Sequence, residues 1–409
     1  MTAVNDRKVL YVTAFLRALA TGMIGVLLGF YLADAHLEAR TIGVIVAAGL
    51  AGAAVGTMLV TAAADRFGRR KALVALALLS GAGGAALIFT HHPWAIALAA
   101  FVGMVNGMGR DRGASLVLEQ AVLPNAVTDR ERTFAFATYN IAQDVGHALG
   151  GLMATTPRWI QSMAGPHATE STGIHGAIAI YAGLSLLPAL LYFMLSRAVE
   201  SPAATEALPP LTPTTRQILW KISSLFALDG LGGGFLTAAL LSYFFHERFG
   251  VGVEVVGPLF FGARIANAIS HLGAAWLAKR IGLVNTMVFT HIPSSLLLVT
   301  VAFAPSFPVA AALFLLREGL VEMDVPTRQS YVMAVVKPEE RTRASGITAI
   351  VRLGAWAAAP TVAGFLMQGL SLMTPLVVGA VMKITYDVLL WWNFRRLKPP
   401  EERGEAQVA

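Results

Sequence analysis

Asp65-Arg66-Phe67-Gly68-Arg69-Arg70-Lys71 separates two apolar runs, 42–63 and 72–90, each long enough to cross a bilayer. A helix needs about 20 apolar residues for that crossing. Four basic side chains beside one aspartate mark a loop held on the cytoplasmic face, where Lys and Arg are retained. Outward from this loop the chain reads as twelve spans, roughly 9–32, 42–63, 72–90, 95–122, 134–156, 175–196, 220–245, 254–278, 285–304, 309–335, 344–367 and 375–394. With the N-terminus inside, cytoplasmic tails and loops hold about 20 of the 31 basic residues, and the external loops only Arg40, Arg158 and Arg248. Both termini are expected in the cytoplasm of a cell (inner) membrane protein.

Composition agrees. Of 409 residues, 56% are hydrophobic and 13% charged, with a mean hydropathy of +0.64. Soluble domains carry about 25% charged residues, so the fold class is all-α integral membrane. The chain has no cysteine, which excludes disulfides and thiolate metal sites. The net charge of +7 is explained by topology-setting loops, so no nucleic-acid partner is expected. No cleavage site follows the first residues, which read as a tail and first span.

The chain repeats itself. Arg17…Gly22…Tyr31 returns as Asp229…Gly234…Tyr243, an offset of 212. Asp65–Gly68 returns as Lys279-Arg280-Ile281-Gly282, and Glu131-Arg132-Thr133 as Glu340-Arg341-Thr342, at offsets of 214 and 209. A proline-rich polar stretch lies between the copies. The expected organisation is a six-helix bundle at 1–196, a linker at 197–217, a second bundle at 218–396 and a cytoplasmic tail at 397–409. Two parallel halves of this kind are an architecture of secondary transporters.

On Asp65–Lys71, its degenerate second copy and the twelve spans, the chain resembles the major facilitator superfamily. The loop matches that family's G-x-x-x-D-R-x-G-R-R/K signature, with Thr61 replacing the leading glycine. The resemblance implies a latching role for Asp65, Arg66, Gly68, Arg69 and Arg70. It also implies that spans 1, 4, 7 and 10 line a cavity, that spans 2, 5, 8 and 11 flank it, and that spans 3, 6, 9 and 12 are peripheral. Gly146-His147-Ala148-Leu149-Gly150-Gly151 stands where exporters of the family carry G-P-x-x-G-G, which suggests export without signing it.

Charges inside the spans carry the functional reading, because each costs roughly 2.5 to 3.5 kcal/mol at a helix centre. The fourth span holds Arg110, Asp111, Arg112 and Glu119, with Arg112 and Glu119 on one helical face. The fifth holds Asn140, Asp144 and His147. The eighth holds Arg264, Asn267 and His271, and the tenth Arg317, Glu318, Glu322, Asp324 and Arg328. Arg17, Asp229 and Arg352 (with Trp356) stand on the first, seventh and eleventh. Lys383 and Asp387, four apart in the twelfth, read as a structural pair, and the ninth offers only His291. Buried carboxylates are proton-carrier candidates, and arginines offer forks for carboxylate or phosphate. Positions of opposite sign under the repeat, Glu119 with Arg328 and Arg17 with Asp229, are expected to meet between the halves.

These features predict a proton-coupled secondary transporter of a small anionic or zwitterionic solute, exporting by alternating access. Its partners would be the solute, protons and the lipid bilayer; it would act as a monomer, without a cofactor and not as an enzyme. Alternatives are a multidrug/proton antiporter of hydrophobic compounds, a proton-coupled uptake symporter, and uniport or sodium coupling. Nothing in the chain supports a membrane receptor or enzyme.

Overall fold

The fourth span is not one helix. In the computed structural model α4 (Pro93–Gly103) stops at Met104, whose φ of 51° is left-handed, and α5 (Ala114–Val122) begins ten residues later. The structure describes residues 3–127, 131–200, 212–324, 328 and 340–394. The middle of the expected linker, the segment 329–339 that would complete the tenth span, and the tail at 397–409 lie outside the described residues.

Before the break come α1 (Ala3–Asp34), α2 (Ala39–Phe67) and α3 (Arg69–Phe89). After it come α6 (Arg132–Met153), the short α7 (Thr156–Ala164) and α8 (Glu170–Tyr192). The seventh span is divided into α9 (Pro213–Gly234) and α10 (Ala238–Phe249). Then follow α11 (Val253–Ile281), α12 (Leu283–Ala302), α13 (Phe307–Val321), α14 (Arg341–Gly369) and α15 (Thr374–Phe394). Among the described residues there is no strand, and nine helical stretches are long and apolar enough to cross a membrane. Large apolar side chains such as Leu59, Leu98, Ile141 and Leu190 are exposed, as lipid contact requires.

Two compact units result. The first is Met1–Ala204 with Thr237–Phe261 and Pro360–Leu372; the second is Thr205–Leu236 with Gly262–Ala359 and Met373–Ala409. In the first, α1 is central and packs on α6, α8 and α10, while α3 packs on α8 and α4. Its core runs through Leu10, Leu73, Leu118, Tyr139 and Tyr192. In the second, α9 and α12 pack on α15 around Ile222, Phe226, Met287, Tyr386 and Leu390.

Helix starts are fixed by local acceptors. Thr169, Thr212 and Thr237 each accept a backbone N–H two or three residues into α8, α9 and α10, satisfying donors that a helix cannot satisfy itself. Glu340 reinforces the start of α9 by accepting from the Thr212 N–H, from the Thr212 hydroxyl at 3.3 Å and from the Thr215 hydroxyl at 2.5 Å. The Asp65 loop is held in the same way. Gly68 takes φ 99°, and the Glu200 carboxylate accepts the Arg69 and Arg70 N–H groups at 2.6 and 3.1 Å.

Irregular backbone at membrane depth persists only where protein satisfies it, and the fourth-span break meets that condition. Asn106 accepts the Met108 N–H at 2.8 Å and donates to the Arg110 carbonyl at 2.6 Å. The Gly107 carbonyl accepts the Ala239 N–H at 2.9 Å, and the Asp111 N–H donates to His147 Nε2 at 2.7 Å. Gly109, at φ 70°, lies so close to α1 that a Cβ on Gly25 would run into its Cα. Overpacking such a contact costs about 1–3 kcal/mol. Gly25→Val should therefore lower the melting temperature of the detergent-purified protein. Gly183→Ala, with nothing within 4 Å of its Cβ, should leave it unchanged.

Candidate functional site

The guanidinium of Arg17, on α1, gathers the charges of the first unit. Its Nε and Nη2 donate to Asp111 Oδ2 at 3.0 and 2.9 Å, and its Nη1 lies 2.5 Å from Glu119 Oε1. Glu119 has no exposed surface, yet four groups donate to it. The others are the hydroxyls of Thr13 at 2.5 Å, Tyr192 at 2.6 Å and Tyr139 at 2.7 Å. Three of the four meet Oε1 and Tyr139 alone meets Oε2, so Oε1 is fully engaged. Tyr192 and Tyr139 also accept from Arg17, at 2.9 and 3.3 Å. Desolvation is offset here by a complete set of charge-assisted bonds.

Beside this cluster lies a cavity of about 60 Å³, large enough to hold water. Arg17, Asp111, Asn106, Thr21, Ser80 and Tyr181 are among its lining residues. His147 is buried on α6 and accepts the Asp111 N–H. Its Nε2 is therefore the unprotonated nitrogen.

In the second unit the central group is an acid. Asp229, on α9, is 1% exposed and holds three cations: Arg328 at 3.4 Å, Arg352 at 3.0 Å and Lys383 at 3.0 Å. Arg328 also bonds Asp324. The guanidinium of Arg352 lies 4.6 Å over the Trp356 ring, the pairing their spacing suggests. A second cluster joins α11 to α13. Arg264 donates to Asn267 at 3.4 Å, Asn267 donates to Glu318 Oε2 at 2.8 Å, and Arg317 bonds Glu318.

Several expectations change. Arg112 and Glu119 do not share a helical face, because the backbone between Gly103 and Ala114 is irregular and the 3.6-residue period does not run through it. Arg317, Asp324 and Arg328 do not form one stripe on one helix, because α13 ends at Val321. Glu119 and Asp229 are each taken up inside their own unit, by Arg17 and by Arg328. Lys383 and Asp387 are joined through His291 instead of directly.

Asn140 and Asp144 are on the exposed face of α6, and Arg110, Arg112 and Glu322 are half-buried. In the loop, Asp65 pairs with Arg69 at 2.7 Å, Arg70 donates to the Leu195 carbonyl at 3.1 Å, and Arg66 is exposed. Thr13, Tyr139 and Tyr192 were invisible to a search for charges. Their signal is a polar atom on an otherwise apolar helical stripe.

Removing a hydroxyl that donates to a buried carboxylate costs about 1.5–3 kcal/mol. Tyr192→Phe should destabilise the first unit by that amount in denaturant unfolding in micelles. A double-mutant cycle with Glu119→Gln should leave a coupling above about 0.5 kcal/mol. Additive effects would show that the contact is idle.

Comparison with known proteins places this geometry. A model described as Major Facilitator Superfamily matches residues 10–321. An uncharacterized membrane protein of Saccharomyces cerevisiae is 24% identical, over 95% of this chain and 94% of its own. Among solved structures, a mutant of the nucleoside transporter NupG is similar with a TM-score of 0.75, at 16% identity, over 95% of this chain and 99% of that one. A D-xylose-proton symporter gives 0.72, at 16% identity, over 96% and 98%. At such identities the likeness is one of fold.

Proposed function

This chain belongs to the Major Facilitator Superfamily, whose members among its structural neighbours are transporters and not enzymes, and we propose that it is a proton-coupled secondary transporter of a small anionic or zwitterionic organic solute. In this reading two six-helix halves, 1–196 and 218–396, alternate access to a central site. Both termini face the cytoplasm and the working unit is a monomer. Export is the favoured direction, on the resemblance of Gly146–Gly151 to the exporters' fifth-span motif.

The observation that carries the reading is the crowding of donors on Glu119, three of them on Oε1. Four donors suit a carboxylate and not a carboxylic acid. A proton on Oε1 would turn an acceptor into a donor facing Thr13, Tyr192 and Arg17. Taking up a proton on Oε1 therefore means releasing a partner on α1 or α8. A bonding set that changes with protonation can tie proton binding to helix position, which is the requirement for coupling. Asp229 supports the same reading with the opposite polarity. Its three cations would accommodate an anionic solute group if one of them let go.

Stabilisation of the purified protein in a thermal screen of carboxylates, amino acids, nucleosides and sugars would select a solute for flux assays in proteoliposomes. Accumulation of that solute should follow an imposed pH gradient. Glu119→Gln should abolish the gradient-driven part while solute exchange persists. Flux indifferent both to the gradient and to Glu119→Gln and Asp324→Asn would overturn proton coupling. A screen answered only by uncharged compounds would overturn the solute class.

A further inference from the structure

Helices α12 and α15 carry three buried ionisable groups that the transport reading leaves unused: His291, Lys383 and Asp387. Asp387 presents both carboxylate oxygens to His291 Nδ1, each at 3.0 Å. Lys383 Nζ lies 3.3 Å from His291 Nε2 and 3.0 Å from Asp229 Oδ1. An ammonium can only donate, and an ionised carboxylate can only accept. The imidazole proton is therefore on Nδ1, and Nε2 turns its lone pair to Lys383.

The charged groups facing this chain are partners of one another. Asp229 on α9 also holds Arg328 and Arg352, and Arg328 holds Asp324. The Tyr386 ring stands edge-on to His291 at 6.1 Å. Asp229, Asp324 and Asp387 thus balance Arg328, Arg352 and Lys383, and the neutral imidazole adds nothing.

We propose that His291 is a proton shuttle between Lys383 and Asp387. In the transfer an Nζ–H bond of Lys383 breaks as an Nε2–H bond forms on His291, and the Nδ1–H bond breaks as an O–H bond forms on Asp387. The products are a neutral amine, the other imidazole tautomer and a carboxylic acid. Every hydrogen bond survives with its roles exchanged: the Asp387 hydroxyl donates to Nδ1, and Nε2–H donates to the amine. Three opposed charges on each side become two, so the cluster stays neutral. A step that left an uncompensated charge at this depth would meet the full desolvation penalty.

The shuttle has a readout in α9. Guanidinium groups do not lose protons in proteins, so of the three cations on Asp229 among the described residues it is Lys383 whose charge can be switched off. When it is neutral, its tie to Asp229 falls from an ion pair to a hydrogen bond. Two peripheral helices would thereby set how firmly the charged centre of the second unit is held. The shuttle depends on the proton-coupled reading for its purpose, but its chemistry is readable without any solute.

The test is nitrogen NMR of histidine-labelled full-length protein in lipid nanodiscs, with His291→Gln assigning the resonance. The wild type at neutral pH should show the Nδ1–H tautomer. Asp229→Asn removes the anion that keeps Lys383 charged, and should convert His291 to the Nε2–H form. Adding Asp387→Asn, which accepts a hydrogen bond but no proton, should restore Nδ1–H. If Asp229→Asn does not fold, the wild type should still show tautomer exchange that Asp387→Asn abolishes. A doubly protonated His291 in the wild type, or an Nδ1–H form unmoved in Asp229→Asn, would overturn the shuttle, as would a wild type without exchange. None of these results bears on whether a pH gradient drives solute flux.

Discussion

One ion pair organises each unit, and the two pairs are copies with their signs exchanged. Arg17 and Glu119 occupy positions in the first half of the sequence that the repeat maps onto Asp229 and Arg328 in the second. The cation sits on the first helix of one copy and the anion on the first helix of the other. Geometry has therefore been kept while polarity has been inverted. An ion pair at this depth is retained only where the desolvation cost is met by good geometry and further bonds. Both pairs meet that condition, the first through Asp111 and three hydroxyls, the second through Lys383, Arg352 and Asp324.

The inversion has a chemical result. In the first unit one guanidinium is shared by two carboxylates, so the acids compete for a single cation. In the second, one carboxylate is shared by three cations, and competition runs the other way.

Much of this was legible in the residues. Apolar length and the distribution of Lys and Arg were enough to reveal a multi-span membrane protein, and the Asp65 loop with its echo at Lys279 revealed the family. The buried charges were found because charge in a bilayer is conspicuous. Their partners were not, since the sequence does not say which side chains meet across helices. Assuming an unbroken fourth span placed Arg112 with Glu119, although Gly103, Gly107, Gly109 and Gly113 in one segment were a warning. Pairing opposite signs between the halves was reasonable on symmetry alone. Within each unit Arg17 is near enough to bond Glu119, and Asp229 to bond Arg328. The Lys383–Asp387 pair went astray on local spacing, which could not show that His291 stands between them.

The break in the fourth span bears on biosynthesis. Helix α4 has 11 residues, about 16 Å at 1.5 Å per residue, roughly half of the ~30 Å hydrocarbon core. The irregular segment therefore begins near mid-membrane, where water is scarcest. As it leaves the ribosome, α1, α2 and α3 are the partners already made. His147 is synthesised some forty residues later, and Ala239, whose N–H caps the Gly107 carbonyl, more than a hundred residues later. The fourth span consequently is not completed in the order in which it is translated, and the first unit is finished only when Pro360–Leu372 has been made.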